Sequence, residues 1–424
     1  MAPASGKKIS IAALVVLMLA TCLSFWLAPA PQGEPEVEYW GHYAQVGPGL
    51  GFVVNHDSYG YLAVAQEPGK LLLPQEVRQS RPLYALLGAA VGYPLAALLG
   101  LASRVGLAPP WPPEDVAFYG FYSGFVMLNG LVLLLALWLF RQLFDVFTAG
   151  QGSKAEFYAL AWVLVANPIT KAFFWTAHQQ MFAFLVPLFC LWLAIRLRQG
   201  RVLPWAGLSE LALGLGVLPL VYGSFVLVWP ALAFGMLRFG DATPPSWANR
   251  FGRLALSALL FGLPTLGWIL LLKLVGTTYY NHEAERFHQL VWLLDARHLP
   301  LADAASLVGS KLLEYLASIQ LMGFWLLGSA GLYAATRWRT RAQAAQVLPA
   351  MAGAALAWVS GCFVAFFALL GYYPERLAFT LLPLVLCLLV ALLPRWPRCY
   401  AQPAALAVAA GWYLYVLLSY GPFS

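Results

Sequence analysis

Charge is scarce in this chain. Of its 424 residues only 10% are Asp, Glu, Lys or Arg, against about 25% in an ordinary soluble domain. So few charges cannot solvate a water-soluble fold. With 61% hydrophobic residues, the chain reads as an all-α polytopic integral membrane protein, because lipid leaves open backbone groups unsatisfied and helices close them internally. Cysteine is scarce too. Cys22, Cys190, Cys362, Cys387 and Cys399 lie through or beside apolar segments without CxxC or CxxH spacing, which excludes a disulfide framework and a thiolate metal site. His282-Glu283 followed by His288 departs from HExxH, whose histidines stand four apart on one helical face. No cofactor is therefore expected, and a divalent metal has no support in the sequence but stays open, since Asp57 has only distant carboxylates such as Glu114, Asp115 and Glu283. The net charge of +7 does not point to nucleic acid, since the basic residues form short clusters between apolar spans rather than one face. Internal repeats and low-complexity linkers are also missing, so residues 1–424 read as one membrane domain.

What the chain has in abundance is apolar segments. They fall near 10 to 28, 83 to 103, 117 to 140, 156 to 174, 178 to 195, 204 to 220, 222 to 238, 252 to 275, 311 to 335, 346 to 371, 376 to 394 and 401 to 420. Lys7 and Lys8 before the first resemble a secretory leader, and Leu19 to Cys22 faintly resembles a lipoprotein processing box. The run is long enough to span, and an uncleaved anchor is expected. The crowded stretch from 204 to 238 calls for two short helices hinged near Pro219.

Cytoplasmic loops are enriched in Lys and Arg. The clusters Arg196/Arg198/Arg201, Arg238/Arg250/Arg253, Arg337/Arg339/Arg341 and Arg395/Arg398, with Arg141/Lys154 weaker, share the side of Lys7 and Lys8 only if one early segment fails to cross. Segment 83 to 103, interrupted by Gly88, Gly92, Pro94 and Gly100, is expected to be broken and to dip into or lie along the outer leaflet. That leaves about eleven crossings with the N-terminus cytoplasmic. Residues 29–116 become a first extracytoplasmic loop with juxtamembrane helices, and 276–310 a second. Phe287, Leu290, Val291 and Leu294 follow i, i+3, i+4, i+7, so an amphipathic surface helix is expected there. Nearly every reactive polar side chain then falls on the outer side.

Chief among these is Asp57, in Asn55-His56-Asp57-Ser58-Tyr59-Gly60-Tyr61. Asp at a helix start is a good N-cap; a carboxylate held near the interface can also take a proton from an attacking hydroxyl. The two roles are compatible, and His56 is placed to donate to the carboxylate or to a phosphate. Glu210 and Lys273 lie within apolar spans, near enough to helix ends to snorkel.

The run Asn55 to Ala65, followed by Arg81-Pro82-Leu83-Tyr84, resembles the first outer loop of the C-type (GT-C) glycosyltransferase superfamily. In that superfamily an acidic residue follows the first helix, a Pro-containing surface helix comes next, and sugars move from polyprenyl-phosphate carriers. Asn167-Pro168 through Phe182 is similar to its second outer turn, with His178, Gln179 and Gln180 where that turn carries a polar or acidic residue; no carboxylate stands here. Tyr372-Tyr373-Pro374-Glu375-Arg376-Leu377 leading into Leu381-Leu382-Pro383 resembles its late outer Arg and following helix.

The resemblance implies an inverting membrane glycosyltransferase with Asp57 as general base and with His56, Tyr61, Arg81, His178, Gln179 and Arg376 contacting substrate. Its partners are a polyprenyl-phosphate sugar donor, the lipid bilayer, and an acceptor hydroxyl on a lipid, glycan or protein. For Arg376 the alternatives are pairing with Glu375, snorkelling to headgroups, or bidentate binding of the donor phosphate; Arg81, Lys171 and His178 are the other candidate phosphate ligands. No N-x-S/T sequon is present, which favours a bacterial inner (plasma) membrane. A secondary transporter or flippase of a lipid-linked or small polar substrate is the alternative, though such proteins carry broken helices and midplane polar groups. A ligase joining lipid-linked glycans is a further one.

Overall fold

The computed structural model describes residues 10–29, 41–107, 109–200, 202–237, 246–340 and 349–419. Lys7, Lys8, Arg201, Arg238 and Arg341 lie outside the described residues. In chain order the helices are α1 (Ile11–Ser24), α2 (Asp57–Gln66), α3 (Pro82–Arg104), α4 (Pro113–Phe147), α5 (Lys154–Val165), α6 (Pro168–Phe173), α7 (Phe182–Gln199), α8 (Trp205–Leu215) and α9 (Val228–Leu237). Then follow α10 (Trp247–Leu274), α11 (His282–Phe287), α12 (Val291–Ala296), α13 (Leu301–Ser318), α14 (Gly323–Thr340), α15 (Ala350–Leu370), α16 (Leu382–Leu392) and α17 (Arg398–Leu418). Among the described residues seven helices are long and apolar enough to cross a membrane, eight if the bent pair α13–α14 is one span, and three further apolar helices are shorter. The protein is a helical, multi-pass membrane protein.

The helices share a common level. α7 starts beside the 178–181 turn and carries Arg196 over Trp192 near its end. α10 carries Arg250 over Trp247 in its first turn, and near its end Thr277 donates to the Leu72 carbonyl and Trp268 to that of Gln79. Arg253 over Trp205 and Arg339 over Trp396 mark the same far end. Arg–aromatic pairs suit a membrane–water boundary; Arg196 and Arg339 are exposed there, while Arg250 and Arg253 are buried against their rings.

Several expectations are corrected. The chain is not purely helical: β1 (His42–Gly47) and β2 (Leu50–Val54) form an antiparallel hairpin with Gly49 in the left-handed region at the turn. Phe52 of β2 packs on Trp26 and Trp175, which anchors the hairpin. Segment 83 to 103 is unbroken, since α3 runs through Gly88, Gly92 and Pro94. Its glycines serve close approach: a Cβ at Gly88 or Gly92 would overlap Phe125 or Phe121, and one at Gly120 would overlap Ala96.

α3 thus pairs antiparallel with the first half of α4, while Asn129 and the rest of α4 pack at the level of α6 and below. With 35 residues, α4 is about 52 Å long, more than the ~30 Å hydrocarbon core. Part of the α3–α4 hairpin therefore stands beyond the layer that the other helices share.

Residues 287 to 294 do not form one helix. His288 and Leu290 are left-handed, separating α11 from α12, because the segment follows the end of α15: Leu290 N–H donates to the Leu370 carbonyl, Trp292 Nε1 to that of Leu369, and Phe287 stacks on Tyr372. Segment 311 to 335 is not straight either, as α13 and α14 meet at 85°. Segment 156 to 174 breaks at Ala166, where Pro168 starts α6 and the Asn167 side chain accepts from Thr170 N–H. The hinge near Pro219 is borne out: short 3-10 turns at Leu218–Leu220 and Gly223–Leu227 separate α8 from α9. Lys273, in the last turn of α10, and Glu210 are exposed, as snorkelling side chains are.

Candidate functional site

The N-cap position of α2 is His56, and Asp57 is the first residue of the helix. The Asn55 Oδ1 accepts the Asp57 N–H at 2.9 Å. The Asp57 carboxylate turns to other partners. Arg78, from the 3-10 turn Val77–Ser80, donates through Nη2 to Asp57 Oδ1 at 3.3 Å and to the Asp57 carbonyl at 3.2 Å. The guanidinium crosses the Tyr61 ring 5.0 Å from its centre. It reaches Asp57 over Gly60, where any Cβ would overlap it.

The second partner comes from the turn between α6 and α7. Three elements fix this turn. Asn129 Nδ2 in α4 donates to the Phe174 and Thr176 carbonyls at 2.9 and 2.7 Å and to Phe173 at 3.3 Å. Trp175 Nε1 donates to the Cys22 carbonyl, the Tyr122 hydroxyl to that of Trp175, and the Ala177 N–H to Ser58 Oγ. So held, His178 turns Nε2 toward Asp57 Oδ2 at 3.5 Å, while its Nδ1 accepts the Gln180 N–H at 3.1 Å. An accepting Nδ1 places the proton of the neutral ring on Nε2, facing the carboxylate. The ring is buried against Phe173 and Tyr61.

Arg376 enters from the 3-10 segment Glu375–Leu381, with its guanidinium 5.9 Å from the centre of the Phe173 ring. Among the described residues it makes no ion pair within 4.0 Å and no hydrogen bond, yet its charge is felt at both Asp57 and His178. The hydrogen bond from His178, then the positive charges of Arg78 and Arg376, hold Asp57 well below the usual carboxylate range against the opposing effect of partial burial. Burial pushes His178 below its ordinary value and outweighs the hydrogen bond and charge of Asp57. At neutral pH the pair is thus a carboxylate and a neutral imidazole. Asp57 keeps 51% of its side chain exposed, so a reactant can reach it.

Asp57, Tyr61, His178 and Arg376 therefore converge. Arg81 adjoins this group, its charge felt at Tyr61 and His178, and its ion pair with Glu283 ties α11 to the start of α3. Gln79 Oε1 reinforces this docking by accepting the Tyr280 N–H. Lys171 is no free cation for a phosphate, since its Nζ donates to the carbonyls of Val416, Leu417 and Ser419 at the end of α17. His56, one residue before α2, is exposed. Gln179 is buried next to His178; its Oε1, the Gln180 Nε2 and the Arg78 Nε have no hydrogen-bond partner among the described residues. Buried polar atoms are rarely left so.

Sequence reasoning missed Arg78 as a partner of Asp57 and missed Asn129 altogether. A lone Asn in a long apolar run was a usable signal for the second; nothing local marked the first. Among the described residues no three His, Cys, Asp or Glu side chains come together. Comparison of the chain with protein-family models, with curated proteins and with solved structures gives no match.

Proposed function

We propose that the protein is a membrane glycosyltransferase that moves a sugar from a polyprenyl-phosphate donor to an acceptor hydroxyl, at the face of a bacterial inner membrane opposite the cytoplasm. The observation that carries this reading is the Asp57 carboxylate fixed between Arg78 and His178, with Arg376 beside it as a cation that makes no ion pair among the described residues. The acceptor oxygen attacks the anomeric carbon, and its proton passes to Asp57. The bond from that carbon to the phosphate oxygen breaks, and the electron pair leaves on the lipid phosphate. Arg376 meets the charge that develops there, where a fixed cation lowers the barrier. Asp57 is a weak base because its partners stabilise the anion. It receives the proton late, once bond formation has made the hydroxyl acidic, and it needs no prior deprotonation.

An apolar groove supports the lipid-borne donor. Two cavities of about 480 and 350 Å³ follow one another along α17, sharing Phe324 and Val408. The first begins at Pro168, Phe379 and Tyr415, on the elements that carry Phe173 and Arg376; the second ends at Trp396 and Tyr400. Such a groove suits a chain whose head lies near Arg376. The Arg–aromatic end of the bundle suits the cytoplasmic side, with the N-terminus there. The seven long helices, the bent pair, the three short apolar helices and α5 make twelve apolar segments among the described residues, and eleven crossings with α3 kept in the outer leaflet.

The test is release of polyprenyl phosphate and transfer of label from a panel of labelled polyprenyl-phosphate sugars, by purified protein in nanodiscs supplied with crude membrane acceptors. Asp57→Asn should lower turnover by about 10² to 10⁴, or about 2.7 to 5.4 kcal/mol, without loss of fold or donor binding. Full activity in the variant, or no turnover of any donor by folded protein, sinks the reading.

A further inference from the structure

We propose that α13 does not cross the bilayer but lies flat in its headgroup layer, at the level of Asp57 and Arg376. Three observations carry this. First, α13 meets α14 at 85°, and α14 runs through the shared helix layer to Arg339, over Trp396 at the far end. A helix perpendicular to a crossing helix runs along the membrane plane.

Second, the 18 residues of α13 divide by the 3.6-residue period into a protein-facing row, two flanks, and an exposed outermost row of small and apolar residues, Ala302, Gly309, Leu313 and Ala317. Ala304, Leu307, Lys311, Tyr315 and Ser318 turn toward the protein and are buried or half-buried. Leu301, Ala305, Val308, Leu312 and Leu316 form an exposed apolar stripe on one flank. Asp303, Ser306, Ser310 and Glu314 form an exposed polar stripe on the other. A helix inside the hydrocarbon needs no polar flank, and a helix in water would not expose five apolar residues in line; separated flanks fit the boundary between the two. Lys311 bridges to Glu314 at 2.8 Å from the protein-facing side, a pair that a crossing path would carry into lipid.

Third, α13 sits where the boundary is already marked. Tyr315 meets the Tyr373 ring at 5.5 Å, three residues from Arg376, and past the bend Gln320 and Phe324 line the cavity that reaches Phe379. On the transferase reading, α13 and the bend form the sill over which a lipid chain slides from the leaflet into the groove. The placement of α13 does not depend on that reading.

Spin labels on single cysteines report it in nanodiscs. The background carries Cys362→Ala and Cys399→Ser, leaving the buried Cys22, Cys190 and Cys387. Labels at Val308, Leu312 and Leu316 should collide several-fold more with oxygen than with a water-soluble nickel chelate. Labels at Asp303, Ser306 and Ser310 should show the reverse, and those at Leu301 and Leu316 equal depth. Oxygen dominance at all six with depth rising steadily from Leu301 to Leu316 would mean a crossing helix, and chelate dominance at all six a helix in water; either overturns the proposal. None of these readings needs turnover, so an inactive protein still tests it.

Discussion

Asn129 is where the geometry makes its sharpest demand on stability. One amide NH₂ has two hydrogens, and they serve the Phe174 and Thr176 carbonyls at 2.9 and 2.7 Å with Phe173 sharing at 3.3 Å. The residue is buried, so water cannot replace it. Asn129→Leu removes both good bonds; the Thr176 carbonyl keeps the His178 N–H at 2.9 Å, so the Phe174 carbonyl is the one left unpaired. The expected loss is about 1 to 3 kcal/mol, the cost of one buried unsatisfied acceptor. Asn129→Asp should be worse, since it aims a carboxyl oxygen at three carbonyl oxygens and must stay protonated. The assay is reversible unfolding of the purified variants in mixed micelles, read beside thermal denaturation. The order native, then Leu, then Asp is the signature of a donor-specific role. A Leu variant as stable as the native protein would refute the claim that Asn129 holds the 173–178 turn.

Other outcomes follow from the same geometry. Gly60→Ala should push the Arg78 guanidinium off Asp57 and lower turnover roughly tenfold, about 1.4 kcal/mol; in an Arg78→Ala background the same change should add nothing, and a second full loss there would show that Gly60 acts elsewhere. His178 and Asp57 both have lowered folded values, so both bind fewer protons folded than unfolded. Their contribution to stability is complete above about 6.5, the unfolded histidine value, and is lost as pH falls, first through His178 and then, below about 4, through Asp57. His178→Asn should flatten the upper part of that decline, measured as melting temperature against pH, and an unchanged slope would remove His178 as its source. Glu283→Gln should leave Arg81 without its partner and loosen residues 276–298; a cost of about 1 to 3 kcal/mol, below that of a fully buried pair, and faster protease nicking of this loop are expected, and unchanged nicking would mean the pair does not hold the loop.

The sequence by itself determined what depends on composition and local chemistry. Scarce charge and long apolar runs fix a helical membrane protein, because lipid admits no other way to satisfy the backbone over such lengths. Pro219 announced its hinge, and Asp57 stood out as a carboxylate at a helix start. What the tertiary structure decided is which competing local preference prevails. Gly88 and Gly92 looked like helix breakers, yet inside α3 they admit Phe125 and Phe121 of α4, and packing outweighs their poor propensity. Phe287 to Leu294 had helical spacing but gave it up to follow the end of α15. Asp57 could cap or react, and the helix starts one residue before a cap role would allow, with His56 at the N-cap, so that the Asp57 carboxylate meets Arg78 and His178 instead. Its partners lie 21 and 121 residues away, as Arg78 and His178. Contacts at that separation exist only once the helices have packed, so no periodicity or spacing along the chain could carry them.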